Sequence, residues 1–406
     1  MSMERDIVVI GGGHAAAQFC VGMAEAGQGG RVRLVCEEPH LPYQRPPLSK
    51  SFLKNAGEAA QPIRGEPWYA DAGIELHLGA AAEAIDRASC TVRLAGGRAL
   101  RYAHLVLATG TRARAVPSLP EGLRNVCRLR TAADAQGLRQ RLEDAGRVAV
   151  LGGGFIGLEI AATARALGKE VTLIEAGGRL LGRSLSPEMA GHVLRSHEAG
   201  GVDVRLGAAP SRFECEGGRW LAVWLDGQRL EADLLVVGVG AMPETALAEA
   251  AGLACRDGVL VDGFMRTGDP RILAIGDCTR FPLPDGSGDR RLESVQNAND
   301  QARTAVATLL GQPSPYAALP WFWSEQGGMR LQMAGCMPAE SVRHRRQGAR
   351  PDAFSILHYT PDGRLACVES MNAPQDHMAA RKLLESGCSP PPAGACDGAV
   401  ALKSFL

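Results

Sequence analysis

Residues 148–157 read VAVLGGGFIG, a short apolar run that passes directly into glycines at 152, 153, 154 and 157. The run predicts a buried strand, and Leu158 to Leu167 predicts a helix that Gly168 ends. A second apolar run, Val171–Ile174, leads to Glu175, 23 residues after Gly152. Such glycines let a pyrophosphate approach the N–H groups at a helix N-terminus, and such an acid hydrogen-bonds a ribose hydroxyl. The stretch therefore predicts a dinucleotide-binding β-α-β unit.

The same unit occurs earlier in the chain. Ile7–Ile10 precedes the turn Gly11–Ala16, and a helix from Ala17 to about Ala26 leads to the run Val32–Val35, which ends in two glutamates, 37 and 38. Alanine replaces the third glycine of the motif, a change that still permits close packing of helix on strand. The first glycines of the two motifs are 141 residues apart. Two complete units predict that one chain binds two dinucleotides.

The acid of the second unit also predicts which nicotinamide cofactor is preferred. A carboxylate at Glu175 accepts hydrogen bonds from the adenosine ribose and repels a 2′-phosphate, so we expect NADH to be preferred to NADPH. Arg179 and Arg183 follow closely and would weaken that preference.

Two more apolar runs, which end at Thr109-Gly110 and at Gly276-Asp277, indicate how the domains are arranged. Both are typical of buried strands of one nucleotide-binding domain that is interrupted by the insertion of another. We therefore predict a first domain of residues 1–112 and 241–318, an inserted domain of 113–240, and a third domain of 319–406. The proline-rich stretch from Ser389 to Gly398 is predicted to be loosely held.

Composition excludes several classes of protein. Lysine plus arginine and aspartate plus glutamate number 44 each, and this balance argues against nucleic acid as a partner. No apolar run approaches the length of a membrane span, and the opening residues do not read as a signal peptide, so a cytoplasmic protein is expected. The 11 cysteines include no C-x-x-C pair, which predicts reduced thiols, no metal site and no sulfur-based redox chemistry.

Several longer motifs together resemble one family. They are Gly11–Ala16, Gln44–Lys50 (QRPPLSK), Ala108-Thr109-Gly110, Gly152–Glu159, Ala274–Asp277 (AIGD), Glu293–Ala298 (ESVQNA) and Pro320–Ser324 (PWFWS). In this order they resemble the FAD-dependent ferredoxin reductases that serve Rieske oxygenases and bacterial cytochromes P450. The resemblance spans residues 1–385. It implies an α/β, glutathione-reductase-like fold with two Rossmann-type nucleotide-binding domains and a C-terminal α/β domain.

The resemblance also implies a role for individual residues. Those that would bind FAD are Gly11, Gly13, Ala15, Glu37, Arg45, Lys50, Ala82, Thr109, Gly110, Arg130, Gly276, Asp277, Val295 and Trp323. Those that would bind NADH are Gly152, Gly154, Ile156, Gly157 and Glu175. Ser294 is a plausible N-cap for a helix from Val295 to Leu310, whose positive end would stabilise a reduced flavin.

Lys50 and Glu159 resemble the family's ion pair beside flavin N5 and are the predicted catalytic residues. A lysine on a solvated loop and a dipole-stabilised acid near a helix N-terminus are the ordinary alternatives. Trp321 and Trp323 either anchor the third domain or lie where an iron–sulfur partner docks. The basic cluster Arg343–Arg346 with Arg350 is either a solvated turn or a surface that steers an acidic ferredoxin.

The sequence thus predicts an NADH:ferredoxin oxidoreductase that passes electrons through FAD to a [2Fe–2S] ferredoxin, which in turn supplies an oxygenase. One alternative is a flavin-dependent disulfide or peroxide reductase, which requires a redox cysteine that the segment after Lys50 lacks. The other alternative is a protein similar to apoptosis-inducing factor, whose flavin serves structure or signalling rather than turnover. Such a protein would be expected to carry a basic surplus or a targeting segment, and this chain has neither.

Overall fold

The computed structural model describes residues 6–283, 286 and 288–406. The first five residues, which entered the argument against a signal peptide, lie outside this range. The chain forms two compact units: residues 1–45, 60–112 and 241–318 in the first, and 46–59, 113–240 and 319–406 in the second. The predicted division into three domains stays a prediction.

The first unit is built on a five-stranded parallel sheet. In spatial order its strands are Ile272–Ala274, His104–Leu107, Ile7–Ile10, Val32–Cys36 and Glu75–Leu78. The central strand is buried along its whole length, as expected of a strand that is covered on both faces. The helices His14–Glu25 and Val295–Leu309 pack against each other beside this sheet.

Smaller elements complete the first unit. An antiparallel sheet consists of Ala82–Asp86, Thr91–Leu94 and Ala99–Arg101. The other helices are Glu66–Asp71 and Ala246–Ala250, with 3₁₀ turns at Gly29–Arg31 and Gly276–Cys278. The remaining strands are Thr111–Ala113, Ala241–Pro243, Val259–Leu260, Thr279–Pro282 and Asp289–Arg290. The last residue of the strand Thr111–Ala113 already belongs to the second unit.

The second unit contains a parallel sheet of the same kind. Its strands, in spatial order, are Val202–Leu206, Glu170–Glu175, Arg147–Leu151, Leu234–Val237 and Val126–Cys127. Its helices are Ala132–Asp144, Phe155–Ala166 and Pro187–Ala199. An antiparallel sheet of Pro210–Glu216, Arg219–Leu225 and Gln228–Glu231 follows, and the segment 46–59 contributes the turn Pro46–Ser49 and the helix Ser51–Lys54.

Residues 319–406 of the second unit form an antiparallel sheet and its helices. The strand order is Trp321–Gln326, Met329–Gly335, Leu365–Met371, Phe354–Tyr359 and Val342–Gln347. The helix Pro374–Glu385 packs on this sheet, and a short helix, Pro392–Cys396, and a 3₁₀ turn, Leu402–Phe405, follow. The α/β fold class predicted from the sequence is confirmed.

Two details of the prediction are corrected by the structure. The helices after the glycine motifs begin at His14 and Phe155, each three residues earlier than predicted, because the turn leads directly into the helix. The tail is not loosely held, since Ala395 is fully buried. Arg346, which is buried beneath it, donates to the carbonyl oxygens of Ala395, Asp397 and Val400, and a buried guanidinium requires such acceptors.

Within the described residues, no helix combines the length and the apolar character that crossing a membrane requires. The same residues contain no group of three or more histidine, cysteine, aspartate or glutamate side chains that could hold a metal ion.

Candidate functional site

The first candidate nucleotide site is the turn Gly11–Ala16, where the central strand of the first unit meets a helix. Gly11 has a φ of +129°, and a Cβ on it would lie 2.1 Å from the carbonyl oxygen of Ala108, so only glycine fits. A Cβ on Gly13, the N-cap, would meet no described atom within 4 Å. The turn therefore leaves a cradle over the helix N-terminus that fits a dinucleotide phosphate.

The second candidate site is the turn Gly152–Gly157, which is tighter than the first. Gly152 has a φ of +110°, and a Cβ on it would lie 2.4 Å from the carbonyl oxygen of Gly238. A Cβ on Gly157 would lie 2.1 Å from the carbonyl oxygen of Gly152, whereas the first turn accommodates Ala16 at the matching position. This cradle also fits a dinucleotide, and it tolerates no side chain at its third glycine.

Glu175 ends the strand next to the second turn and is held by backbone donors. Its Oε2 accepts the N–H of Gly153 at 2.7 Å, and its Oε1 accepts the N–H of Gly177 at 2.6 Å. These bonds hold the carboxylate against the turn, where an acid that binds ribose hydroxyls is expected. Ile156, on the same turn, is 44% exposed, and Gly154 is the N-cap of the helix Phe155–Ala166.

In the first unit, two acids follow the second strand of the β-α-β motif. Glu37, the predicted ribose acid, is exposed directly after Val32–Cys36. Glu38 is half-buried and accepts Arg45 at 2.9 Å and the Tyr43 hydroxyl at 2.7 Å. Arg45, a predicted FAD contact, therefore pairs with Glu38 and not with Glu37, the predicted ribose acid. The two glutamates are adjacent in the sequence, and nothing in the sequence indicates which of them pairs with Arg45.

Several other predicted contacts of the first unit lie at strand ends. Thr109 donates from Oγ1 to the carbonyl oxygen of Glu244 at 2.7 Å, and Gly110 has a φ of +68°. Gly276, with a φ of +82°, donates its N–H to Gln301 Oε1 at 2.7 Å and begins the 3₁₀ turn that carries the half-buried Asp277.

Three more predicted residues begin elements or adjoin them. Val295 is the first residue of the helix Val295–Leu309, and the predicted N-cap is confirmed, because Ser294 Oγ accepts the N–H of Asn297 at 3.0 Å. Ala82 begins a strand of the first unit's antiparallel sheet. In the second unit, Arg130 precedes the helix Ala132–Asp144, and its backbone N–H is held by the Asp134 carboxylate.

Lys50 and Glu159 lie together in the second unit. Lys50 Nζ is 2.7 Å from Glu159 Oε2, and the two side chains are 22% and 6% exposed. Glu159 also accepts the hydroxyls of Ser49 and Ser324, and Lys50 donates to the carbonyl oxygen of Pro46. The predicted ion pair thus forms, while its place beside a flavin stays a prediction. The two serines stand in the motifs Gln44–Lys50 and Pro320–Ser324, whose sequences carry no signal for this contact.

The two tryptophans of the third predicted domain stack on each other. The ring centroids of Trp321 and Trp323 are 5.6 Å apart at 28°, and the Arg381 guanidinium lies 4.2 Å from the centroid of Trp321. The ring of His377 packs edge-on against Trp321, and burial, reinforced by Arg381 and Arg330, lowers the pKa of His377 to about 4. The two predicted roles of the pair, as an anchor and as a docking site, stay predictions.

Arg343–Arg346 of the basic cluster lie in a strand, Val342–Gln347, and not in the solvated turn that was one expectation, whereas Arg350 is exposed in a bend after that strand. Its side chains alternate, because successive residues of a strand point to opposite faces. Arg346 is buried and pairs with Asp376 at 3.0 Å, whereas Arg343 and Arg345 are exposed. Arg346 therefore takes no part in a docking surface, and the steering of a ferredoxin by the exposed arginines stays a prediction.

None of the eleven cysteines forms a disulfide. Burial raises the pKa of Cys36 to about 12 and raises the pKa values of Cys20 and Cys278, so none of these three is a ready nucleophile. Burial therefore disfavours a redox role for these three thiols.

Comparison with known proteins places these features in one family. Residues 5–302 match the family model for pyridine nucleotide-disulphide oxidoreductases, and residues 321–406 match the model for the reductase C-terminal domain. Rhodocoxin reductase of Rhodococcus erythropolis is 41% identical over 98% of this chain and 93% of its own length. The anthranilate 1,2-dioxygenase system ferredoxin–NAD(+) reductase component of Burkholderia cepacia is 39% identical, over 98% of each chain.

Solved structures agree with the sequence comparison. The ferredoxin reductase for the CYP199A2 system of Rhodopseudomonas palustris superimposes with a TM-score of 0.94 at 41% identity, over 98% of this chain and 99% of its own. The reductase in the covalent putidaredoxin reductase–putidaredoxin complex superimposes with a TM-score of 0.92 at 36% identity, over 98% and 97%. The glutathione-reductase-like arrangement predicted from the sequence is thereby confirmed.

Proposed function

This chain belongs to the pyridine nucleotide-disulphide oxidoreductase family, and we propose that within it the protein passes electrons from NADH through FAD to a [2Fe–2S] ferredoxin that supplies an oxygenase. The observation that carries the proposal is the presence of two separate dinucleotide cradles in a chain whose cysteines form no disulfide. Two dinucleotides supply a donor and a redox cofactor. Without a dithiol, the electrons leave for an external acceptor.

The residues that the family resemblance assigns to FAD would hold that cofactor. They are Gly11, Gly13, Ala15, Glu37, Arg45, Lys50, Ala82, Thr109, Gly110, Arg130, Gly276, Asp277, Val295 and Trp323. When bound, FAD supplies the step between two-electron and one-electron chemistry, because it accepts a hydride and releases electrons singly. The N-terminus of the helix Val295–Leu309 would stabilise negative charge on the reduced ring.

The residues around the second turn would hold NADH. They are Gly152, Gly154, Ile156, Gly157 and Glu175. The carboxylate of Glu175 already accepts two backbone N–H groups, which orients its remaining lone pairs for the ribose hydroxyls and disfavours a 2′-phosphate. NADPH is therefore the poorer donor. Lys50, fixed by Glu159, would position the nicotinamide against the flavin.

A small acidic ferredoxin is the proposed acceptor, in line with the names of the relatives. The stacked Trp321 and Trp323, with the Arg381 guanidinium over the first ring, offer an aromatic and cationic surface suited to such a partner. We place the protein in the cytoplasm, because eleven cysteines without a disulfide suit a reducing compartment.

The proposal is tested by anaerobic NADH reduction of the purified yellow protein, followed by cytochrome c reduction with and without a [2Fe–2S] ferredoxin. We expect rapid bleaching of the flavin and cytochrome c reduction that depends on the ferredoxin. Bleaching without any effect of the ferredoxin would point to a different acceptor. Failure of NADH to bleach the flavin would overturn the proposed function.

A further inference from the structure

The carboxylate of Glu159 is held from two directions within the second unit. Ser49, next to Lys50 in the chain, donates its hydroxyl to Oε2. Ser324, which lies 165 residues farther along than Glu159, donates its hydroxyl to Oε1 at 2.7 Å. Because Lys50 Nζ also contacts Oε2, both oxygens of this buried carboxylate are occupied by donors.

The direction of the hydrogen bond from Ser324 is set by its neighbours. Gln326 Nε2 donates to Ser324 Oγ at 3.1 Å, so the oxygen acts as an acceptor there and the hydroxyl hydrogen is left for Glu159. Gln326 is itself oriented by His197, whose Nε2 is 2.9 Å from Gln326 Oε1. Burial lowers the pKa of His197, which favours a neutral ring that donates from Nε2.

All four residues of this line are buried: His197, Gln326, Ser324 and Glu159. A buried polar chain whose members are all satisfied restricts every group in it to one geometry. In each of its three hydrogen bonds the donor lies on the side of the neutral imidazole and the acceptor on the side of the carboxylate. Each hydrogen therefore points toward the negative charge of Glu159. The helix Phe155–Ala166, which carries Glu159, also holds the segment that contains Lys50. Thr163 Oγ1 in this helix donates to the carbonyl oxygen of Ser49 at 2.9 Å.

We propose that Ser324 is a positioning residue, which fixes the carboxylate of Glu159 so that the Lys50 ammonium is held in one place. The strand Trp321–Gln326 thus serves the ion pair as well as carrying the two tryptophans. This inference rests on the proposed function only in the role of Lys50, which would position the nicotinamide. The contacts among Ser324, Glu159 and Lys50 are observed within one unit.

The test compares Ser324→Ala with Ser324→Cys, which is slightly larger than serine and supplies a weaker donor. Ser386→Ala is the matched control, because that hydroxyl donates to the carbonyl oxygen of Leu383, away from the ion pair. The rate constant for flavin reduction at saturating NADH should fall about tenfold in Ser324→Ala, less in Ser324→Cys and not at all in Ser386→Ala.

A double-mutant cycle separates positioning from general structural support. If Ser324 acts through the charge of Glu159, Ser324→Ala should add nothing to the defect of Glu159→Gln.

A second measurement, hydrogen exchange at the lysine ammonium groups, does not depend on turnover. The chain has five lysines, so ¹⁵N-lysine labelling gives few ammonium signals. Slow hydrogen exchange at Lys50 Nζ should be lost in Glu159→Gln, reduced in Ser324→Ala and retained in Ser386→Ala.

Unchanged reduction kinetics and an unchanged Lys50 signal in Ser324→Ala would overturn the inference, as would defects that add in the double variant. If Ser324→Ala does not fold, the same two measurements on Ser324→Cys decide the matter. Absence of ferredoxin-dependent cytochrome c reduction in the wild-type protein would overturn the proposed function alone, because neither the lysine spectrum nor the reaction with NADH requires a ferredoxin.

Discussion

Replacement of Lys50 by methionine removes the cation from an ion pair whose acid is almost fully buried. The pair is 2.7 Å long, and the side chains of Lys50 and Glu159 are 22% and 6% exposed. Loss of one partner of a buried pair costs 3–5 kcal/mol. Because two serine hydroxyls still serve the carboxylate, we expect the low end, about 3 kcal/mol, for Lys50→Met. Glu159→Gln leaves a partly exposed lysine and should cost about 1 kcal/mol.

Two assays test this asymmetry. Urea unfolding, followed by circular dichroism, should show a larger loss of stability for Lys50→Met than for Glu159→Gln. Anaerobic stopped-flow should show flavin reduction slowed about tenfold in both variants, with FAD retained after ultrafiltration. Lys54→Met is the matched control, because Lys54 is exposed on the same segment. Reduction at the wild-type rate in Lys50→Met, or a greater loss of stability in Glu159→Gln, would refute the reasoning.

Three further predictions concern other parts of the molecule. In Gly157→Ala the new Cβ would lie 2.1 Å from the Gly152 carbonyl oxygen, so the Kd for NADH should rise at least about tenfold in a stopped-flow titration while FAD stays bound. Arg346→Met should cost about 3 kcal/mol in urea unfolding and expose the last residues to carboxypeptidase, and Arg343→Met, on the exposed face of the strand, should do neither. The unfolded chain protonates His377 near pH 6.5 but the folded protein only near its pKa of about 4, so stability falls as the pH is lowered between these values. From pH 7 to pH 5 the wild-type protein should lose about 2 kcal/mol more than His377→Phe, and equal losses would contradict this assignment.

The sequence predicted the parts of the fold that depend on local backbone geometry. The glycines at 11 and 152 face carbonyl oxygens that leave no room for a side chain. Because only glycine meets this requirement, the residue type itself indicates the tight turn. The parallel strands beside them were predicted for a similar reason, since a buried parallel strand is a continuous apolar run. The ion pair of Lys50 with Glu159 was predicted only through the family resemblance, because 109 residues separate its partners.

What the sequence could not predict depends on contacts between distant segments. Arg346 looked like part of an exposed cluster, but its acceptors are carbonyl oxygens some 50 residues later, which have no signature in the sequence. The tail looked loose because its prolines are typical of linkers, yet those carbonyls hold it in place. Ser324 was quoted within a motif without a role, since only the fold shows that its hydroxyl meets Glu159.

The most direct test of the central claim is a single-turnover experiment without oxygen. The protein is first reduced with one equivalent of NADH and then mixed in a stopped-flow instrument with an excess of oxidised [2Fe–2S] ferredoxin. The account predicts return of the flavin absorbance and reduction of two ferredoxins for each protein, because a hydride carries two electrons and each cluster accepts one. A flavin that stays reduced while the ferredoxin stays oxidised would contradict it.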